Sequence, residues 1–223
     1  SLDGASFSLL TKEAEYKVNS PLLGHFNIEN LVAALISVEQ AGFALADLIA
    51  TAPQLKGAPG RMQVIRDDER LFVVDYAHTP DALIQVLQTL KRHVAQDLWA
   101  VFGCGGDRDR GKRPLMTQAA LQGADIALLT SDNPRTEDPE QIFSDMKAGI
   151  DFSQHHVHEI HDRREAIKFA VQHAKAGDIV VIAGKGHENY QEINGVRHWF
   201  DDVVEVNAAL NMPKQADRAY PAQ

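Results

Sequence analysis

The stretch that decides the fold is Leu71–Ala82, LFVVDYAHTPDA. Four apolar residues ending in Asp75 read as a buried strand, because an apolar run this short fits a strand better than a helix. Thr79 and Pro80 then read as the N-cap and first residue of a helix predicted over Pro80–His93. This is one strand–loop–helix unit.

Working outward, the unit repeats. Strands are expected at Met62–Arg66, Leu71–Asp75, Leu98–Phe102, Ile126–Thr130, His156–Ile160 and Ile179–Ala183. Helices are expected at Pro80–His93, Lys112–Gly123, Pro139–Ile150 and Arg163–Ala176. Such alternation predicts an α/β fold, a Rossmann-like, mostly parallel sheet with helices on both faces. A hairpin is expected at Tyr190–Phe200, with Asn194–Gly195 as a type I′ turn, and a last helix at Asp201–Leu210. Upstream, short β-like runs at Phe7–Leu10 and Tyr16–Val18 precede a helical period through Ile28–Val38, stopped near Gly42. A short helix follows at Ala44–Ala52, and Ala52–Gly60 reads as a linker.

The chain has 223 residues, 44% apolar and 24% charged, enough for a real core. Its formal net charge of -9 argues against nucleic acid as the main partner. The single cysteine, Cys104, leaves no intrachain disulfide and fits a reducing, cytoplasmic setting. No apolar run approaches the roughly 20 residues of a membrane span. The first residues resemble no signal peptide and carry no initiator Met, so the chain is expected to begin partway through a longer protein.

In open α/β sheets, ligands bind beyond the carboxyl ends of the strands. The polar motifs sit there: DYAHTPD from Asp75, GCGGDRDRGKRP from Gly103, SDNPR from Ser131 and GKGHE from Gly184. Asp75 could bond a ribose hydroxyl or a metal-bound water. Glycines 103, 105, 106 and 111 with Arg108, Arg110, Lys112 and Arg113 suggest an anion site or a solvated basic loop. The loop is neither a Walker A motif nor a dinucleotide fingerprint. Asp132, Asn133, Pro134 and Arg135 could clamp an amino acid, Asp132 on its ammonium and Asn133 with Arg135 on its carboxylate. The same residues read equally well as a rigid turn ahead of Pro139, capped by Thr136 or Asp138. Glu188 could take an ammonium, and Lys185 and His187 could meet an anion. His155, His156, His158 and His161 lack metal-ligand spacing, and no metal site is assigned.

Taken in order, GHFNIENLVAAL, GRM, DYAHTPDAL, GCGGDRDRGKRP, SDNPRTEDP and AGKGHE resemble the Mur ligase family, and within it the diaminopimelate-adding branch. The resemblance implies an ATP-dependent ligase of peptidoglycan synthesis. ATP phosphorylates the carboxylate of a UDP-MurNAc-dipeptide, and an amine attacks the acyl phosphate. It implies contacts to meso-diaminopimelate from Arg108, Asp132, Asn133, Pro134, Arg135, Gly184 and Glu188. It also implies nucleotide contacts from Asn27, Asn30, Arg61, Asp75 and His78, although Phe26 stands where the family pattern has His. ATP and Mg2+ are the implied cofactors, with Mg2+ held mainly by a central domain.

The family's GTNGKT-type phosphate loop is absent, as are that domain's metal-coordinating acid and histidine, its modified lysine and the UDP-sugar domain. The expected layout is therefore the tail of a central ATPase domain at 1–59, an amino-acid-binding domain at 60–212 and a loose tail at 213–223. No catalytic residue is assigned, and the piece alone is expected not to catalyse. A non-catalytic binding domain, or another Mur or folylpolyglutamate-type ligase, are the alternatives.

Overall fold

The structure, a computed structural model, describes residues 4–212, so the tail expected at 213–223 lies outside the described residues. It begins with a hairpin of β1 (Ala5–Leu10) and β2 (Glu15–Ser20), then α1 (His25–Gln40) and α2 (Leu45–Thr51). The α/β part follows as β3 (Gln63–Asp67), β4 (Arg70–Asp75), α3 (Pro80–Lys91), β5 (Leu98–Phe102), α4 (Lys112–Gly123) and β6 (Ile126–Leu129). After these come α5 (Pro139–Lys147), β7 (His156–Glu159), α6 (Arg163–His173), β8 (Ile179–Ala183), β9 (Tyr190–Ile193), β10 (Val196–Trp199) and α7 (Asp202–Leu210).

Six strands form the main sheet in the order β3-β4-β8-β5-β6-β7. All neighbours are parallel except β3, which runs antiparallel to β4 at the edge. Successive side chains of a strand face opposite ways, and here both faces are covered. Val73, Ala100, Leu129 and Val181 pack with Leu83, Met116 and Phe143 from α3, α4 and α5. Their neighbours Phe72, Val101, Leu128 and Val180 pack with Ala166, Ile167 and Val206 from α6 and α7. This two-sided burial is why the strands read as unbroken apolar runs.

The N-terminal segment has its own cluster of Val18, Leu31, Leu35, Leu45 and Ala52. Leu23 and Phe26 tie it to the main core. The expected linker is partly ordered, since Ala52–Gln54 form a 3-10 turn. Three helices stop earlier than the periodicity suggests. α5 ends at Lys147 because Ala148 is extended and Gly149 takes φ 71. α6 ends at His173 because Ala174 is extended, and α3 ends at Lys91. Asn194 and Gly195 take φ 49 and 76, as the hairpin turn requires.

The loops leaving β5 and β8 go to opposite faces, one to α4 and the other to the hairpin and α7. Neighbouring strands whose connections diverge leave a crevice at their carboxyl ends.

Candidate functional site

A cleft of about 410 Å³ opens at that crevice. Its walls come from the loops after β4, β5, β6 and β8. Of the residues singled out in the sequence, His78, Arg108, Asp132, Asn133, Arg135, Gly184 and Glu188 line it.

The loop after β6 forms one wall, and backbone contacts hold it. Gly106 N donates to Asn133 O at 2.9 Å. A Cβ at Gly106 would collide with the Pro134 carbonyl, so only glycine allows this approach. Pro134 is thereby buried beneath the neighbouring loop and does not line the cleft. Arg135 takes φ 52, an uncommon region for a non-glycine residue. Its backbone is pinned there by the hairpin: Arg135 N donates to Glu192 O at 2.9 Å, and Asn194 N donates to Arg135 O at 2.6 Å. Its Nη1 donates to Gly106 O at 2.8 Å, which leaves other donors of the guanidinium fork for a ligand.

The basic loop after β5 divides into two roles. Arg113, 1% exposed, donates to Glu137 at 2.9 and 2.6 Å and to Asp145 at 2.7 Å. Arg110 lies 2.6 Å from Glu137. The Arg113 hydrogen bond, aided by the Asp107 N–H and Arg110, holds the Glu137 carboxyl down at about 2. Asp107 accepts from Thr136 N and Oγ1 at 3.1 and 2.9 Å. These residues fasten the loop to the β6–α5 connection. Arg108 and Lys112 instead are exposed at the cleft and make no ion pair among the described residues.

The opposite end is acidic. Gly184, at φ 114, brings the backbone against Asp132, and a Cβ there would lie 3.0 Å from Asp132 Oδ2. Asn133 Oδ1 accepts from Lys185 Nζ at 2.9 Å and from Glu192 N at 2.9 Å, while its Nδ2 donates to Glu188 Oε2 at 3.0 Å. Its amide is therefore largely committed within the protein and braces Glu188, a role the sequence reading missed. Cys104 also lines the cleft, but burial, and then the Asp132 carboxylate, push its thiol up to about 12.

Of the residues expected at a nucleotide, His78 lines the cleft, while Asn27, Asn30, Arg61 and Asp75 do not. Asp75 is 3% exposed, and its two oxygens accept from Met62 N and Ala77 N at 2.8 Å each. Burial, against these N–H bonds and the Arg61 charge, raises its pKa. It thus anchors the loops that carry Arg61 and His78 instead of standing open to a ligand. Arg61 lies over the Tyr76 ring at 4.7 Å, and His78 and His187 flank that ring at 4.6 and 5.4 Å. Asn27 Nδ2 donates to Leu23 O at 2.7 Å, Asn30 is exposed on α1, and neither lines the cleft. Tyr76 and Met116 line it without having been singled out. Neither carries a charge, and Tyr76 was passed over between the more polar Asp75 and His78. Among the described residues no group of three or more His, Cys, Asp or Glu could hold a metal ion.

Comparison with known proteins gives a consistent picture. The family model for "Mur ligase, glutamate ligase domain" matches residues 60–186. UDP-N-acetylmuramoyl-L-alanyl-D-glutamate–2,6-diaminopimelate ligase of Pseudomonas putida is 49% identical over 209 residues, covering 93% of this chain and 42% of that protein. The protein of the same name from Geobacillus thermodenitrificans is 44% identical over 208 residues, covering 93% and 42%. A solved structure of a ligase of that name superposes with TM-score 0.73 and 77% identity, covering 95% of this chain and 43% of that one. Folylpolyglutamate synthase from Thermotoga maritima, at 20% identity and TM-score 0.63, shares the fold. The chain spans about 42% of the length of the curated relatives it matches.

Proposed function

The chain belongs to the Mur ligase family, and on that premise we propose that it is the amino-acid-holding part of an ATP-dependent ligase. That ligase joins meso-diaminopimelate to a UDP-MurNAc-dipeptide in peptidoglycan synthesis, in the cytoplasm. The observation that carries this reading is the polarity of one cleft. Asp132 and Glu188, held together by Lys185, line it, and so do Arg108, Lys112 and Arg135, with Asp109 on the loop of Arg108.

A zwitterionic amino acid fits such a dipolar site. The acidic end takes an ammonium, and the guanidinium forks take carboxylate bidentately. Meso-diaminopimelate carries a second carboxylate where lysine has none. Lysine would bring an unmatched ammonium toward Arg108, Lys112 and Arg135, and like charges disfavour it. In the whole ligase, phosphate transferred from ATP would activate the dipeptide carboxylate. The free amine of the held amino acid would then form the amide, with ADP and phosphate released. The described residues supply the holding and not the phosphorylation. Mg2+ would be held mainly by residues of the central domain and the phosphates of ATP. Arg61 over the Tyr76 ring, with His78 edge-on to that ring, forms the face on which we place the nucleotide. We assign 1–59 to the end of a central ATPase domain and 60–212 to the amino-acid-binding domain.

The test is calorimetric titration of the chain with meso-diaminopimelate and with L-lysine. Tighter binding of diaminopimelate is expected. Equal binding, tighter lysine binding or saturable binding of neither would sink the reading.

A further inference from the structure

Lys185 lies two residues beyond β8, after Gly184, and its side chain is 0% exposed. Burying a charge is costly unless it is paired and hydrogen-bonded. Its Nζ lies 2.9 Å from Asn133 Oδ1, 3.4 Å from Asp132 Oδ1 and 3.5 Å from Glu188 Oε2. The Tyr190 ring centroid is 5.5 Å away. An ammonium has three donors, and here three oxygens surround it, each from a residue that lines the acidic end of the cleft.

Being buried, Lys185 acts on a ligand only through those three residues. It fixes the Asn133 amide, whose other end braces Glu188. It also sets the charge: Asp132 and Glu188 less the Lys185 ammonium leave a single net negative charge facing the cleft, since the buried Arg163, which both carboxylates also feel, is neutralised by its own pair with Asp202. That matches one ligand ammonium and no more. We propose that Lys185 is a specificity-determining positioning residue, which keeps the acidic end matched to one ammonium of a net-neutral diamino dicarboxylate and thereby disfavours a net-cationic amino acid. This rests on the amino-acid-binding reading above.

Removing the buried charge leaves two negative charges in a partly desolvated site, where charge is felt strongly. A cationic ligand then gains more than a neutral one. The experiment measures dissociation constants for meso-diaminopimelate and L-lysine in the wild-type chain, Lys185→Met and Lys185→Arg. The wild-type preference for diaminopimelate should fall about tenfold in Lys185→Met and be largely kept in Lys185→Arg. A merely structural lysine would weaken both ligands by the same factor. An unchanged ratio in a folded Lys185→Met therefore overturns the proposal while leaving the wild-type preference standing. A wild type without that preference overturns instead the reading beneath it. If Lys185→Met does not fold, Glu188→Gln tests the charge balance from the other side. Losing one negative charge should raise the preference, and a ratio that stays put would overturn the proposal.

Discussion

The two ends of the parallel sheet use the same residue types to opposite effect. At the amino ends of the strands, Asp178 is buried and accepts from Trp99 Nε1, Asp97 N and Lys175 N at 3.0, 3.0 and 2.9 Å. Asp125 accepts from Leu98 N at 2.8 Å and pairs with Lys91. At the carboxyl ends, Asp132 and Glu188 are only partly matched, by Lys185 and Asn133. A carboxylate whose bonds are made within the protein is a fastener. One left with spare acceptor capacity at a cleft can meet a ligand.

The largest effect should come from breaking the closed end. Asp178→Ala strands three donors, and stability should fall by about 3 kcal/mol in chemical denaturation. Diaminopimelate affinity in the folded fraction should not change. A matching loss of affinity would show that the two ends are not separate. Next comes the open end. Arg135→Ala removes a charged partner worth about 1.5–3 kcal/mol, so diaminopimelate should bind on the order of ten- to a hundredfold more weakly. Lysine should be affected much less, and equal losses would count against a carboxylate at this arginine.

An effect read through pH instead concerns Glu137, a fastener placed at the open end. Its carboxyl titrates near 2 in the fold against an ordinary 4.5. A lowered pKa gives stability that is fully present above about 4.5 and lost as pH falls toward 2. The gap in urea midpoint between wild type and Glu137→Gln should therefore narrow over that window. A gap constant with pH would show that the Arg113–Glu137 clamp does not carry the acid sensitivity.

The strands were legible in the sequence because both faces are buried. Ile179–Ala183 and Leu98–Phe102 match their expected bounds. The Thr79 cap was legible too, accepting from Ala82 N, and of the two candidates ahead of Pro139 it is Asp138 that caps, accepting from Glu140 N. The sheet order was not, since strand–helix alternation fixes direction but not neighbours. Nor was the division of the basic loop. Arg108 and Arg113 look alike in sequence, and Arg113 is set apart by Glu137 and Asp145, which lie 24 and 32 residues away. Asp75 read as a group that could meet a ribose hydroxyl or a metal-bound water. Only the nearby Met62 and Ala77 amides make it an anchor.

The place of β8 in the middle of the sheet has a consequence for synthesis. It is the last of the six sheet strands to leave the ribosome, yet it joins β4 on one side and β5 on the other. Until residue 183 has emerged, the β3–β4 pair and the β5–β6–β7 ladder have no strand between them. Arg108, Asp132 and Arg135 belong to one of these pieces, His78 to the other, and Gly184 and Glu188 to the seam. A nascent chain stopped short of that seam thus holds separate pieces of the cleft wall but no cleft, so the cleft itself is tied to completion of the sheet.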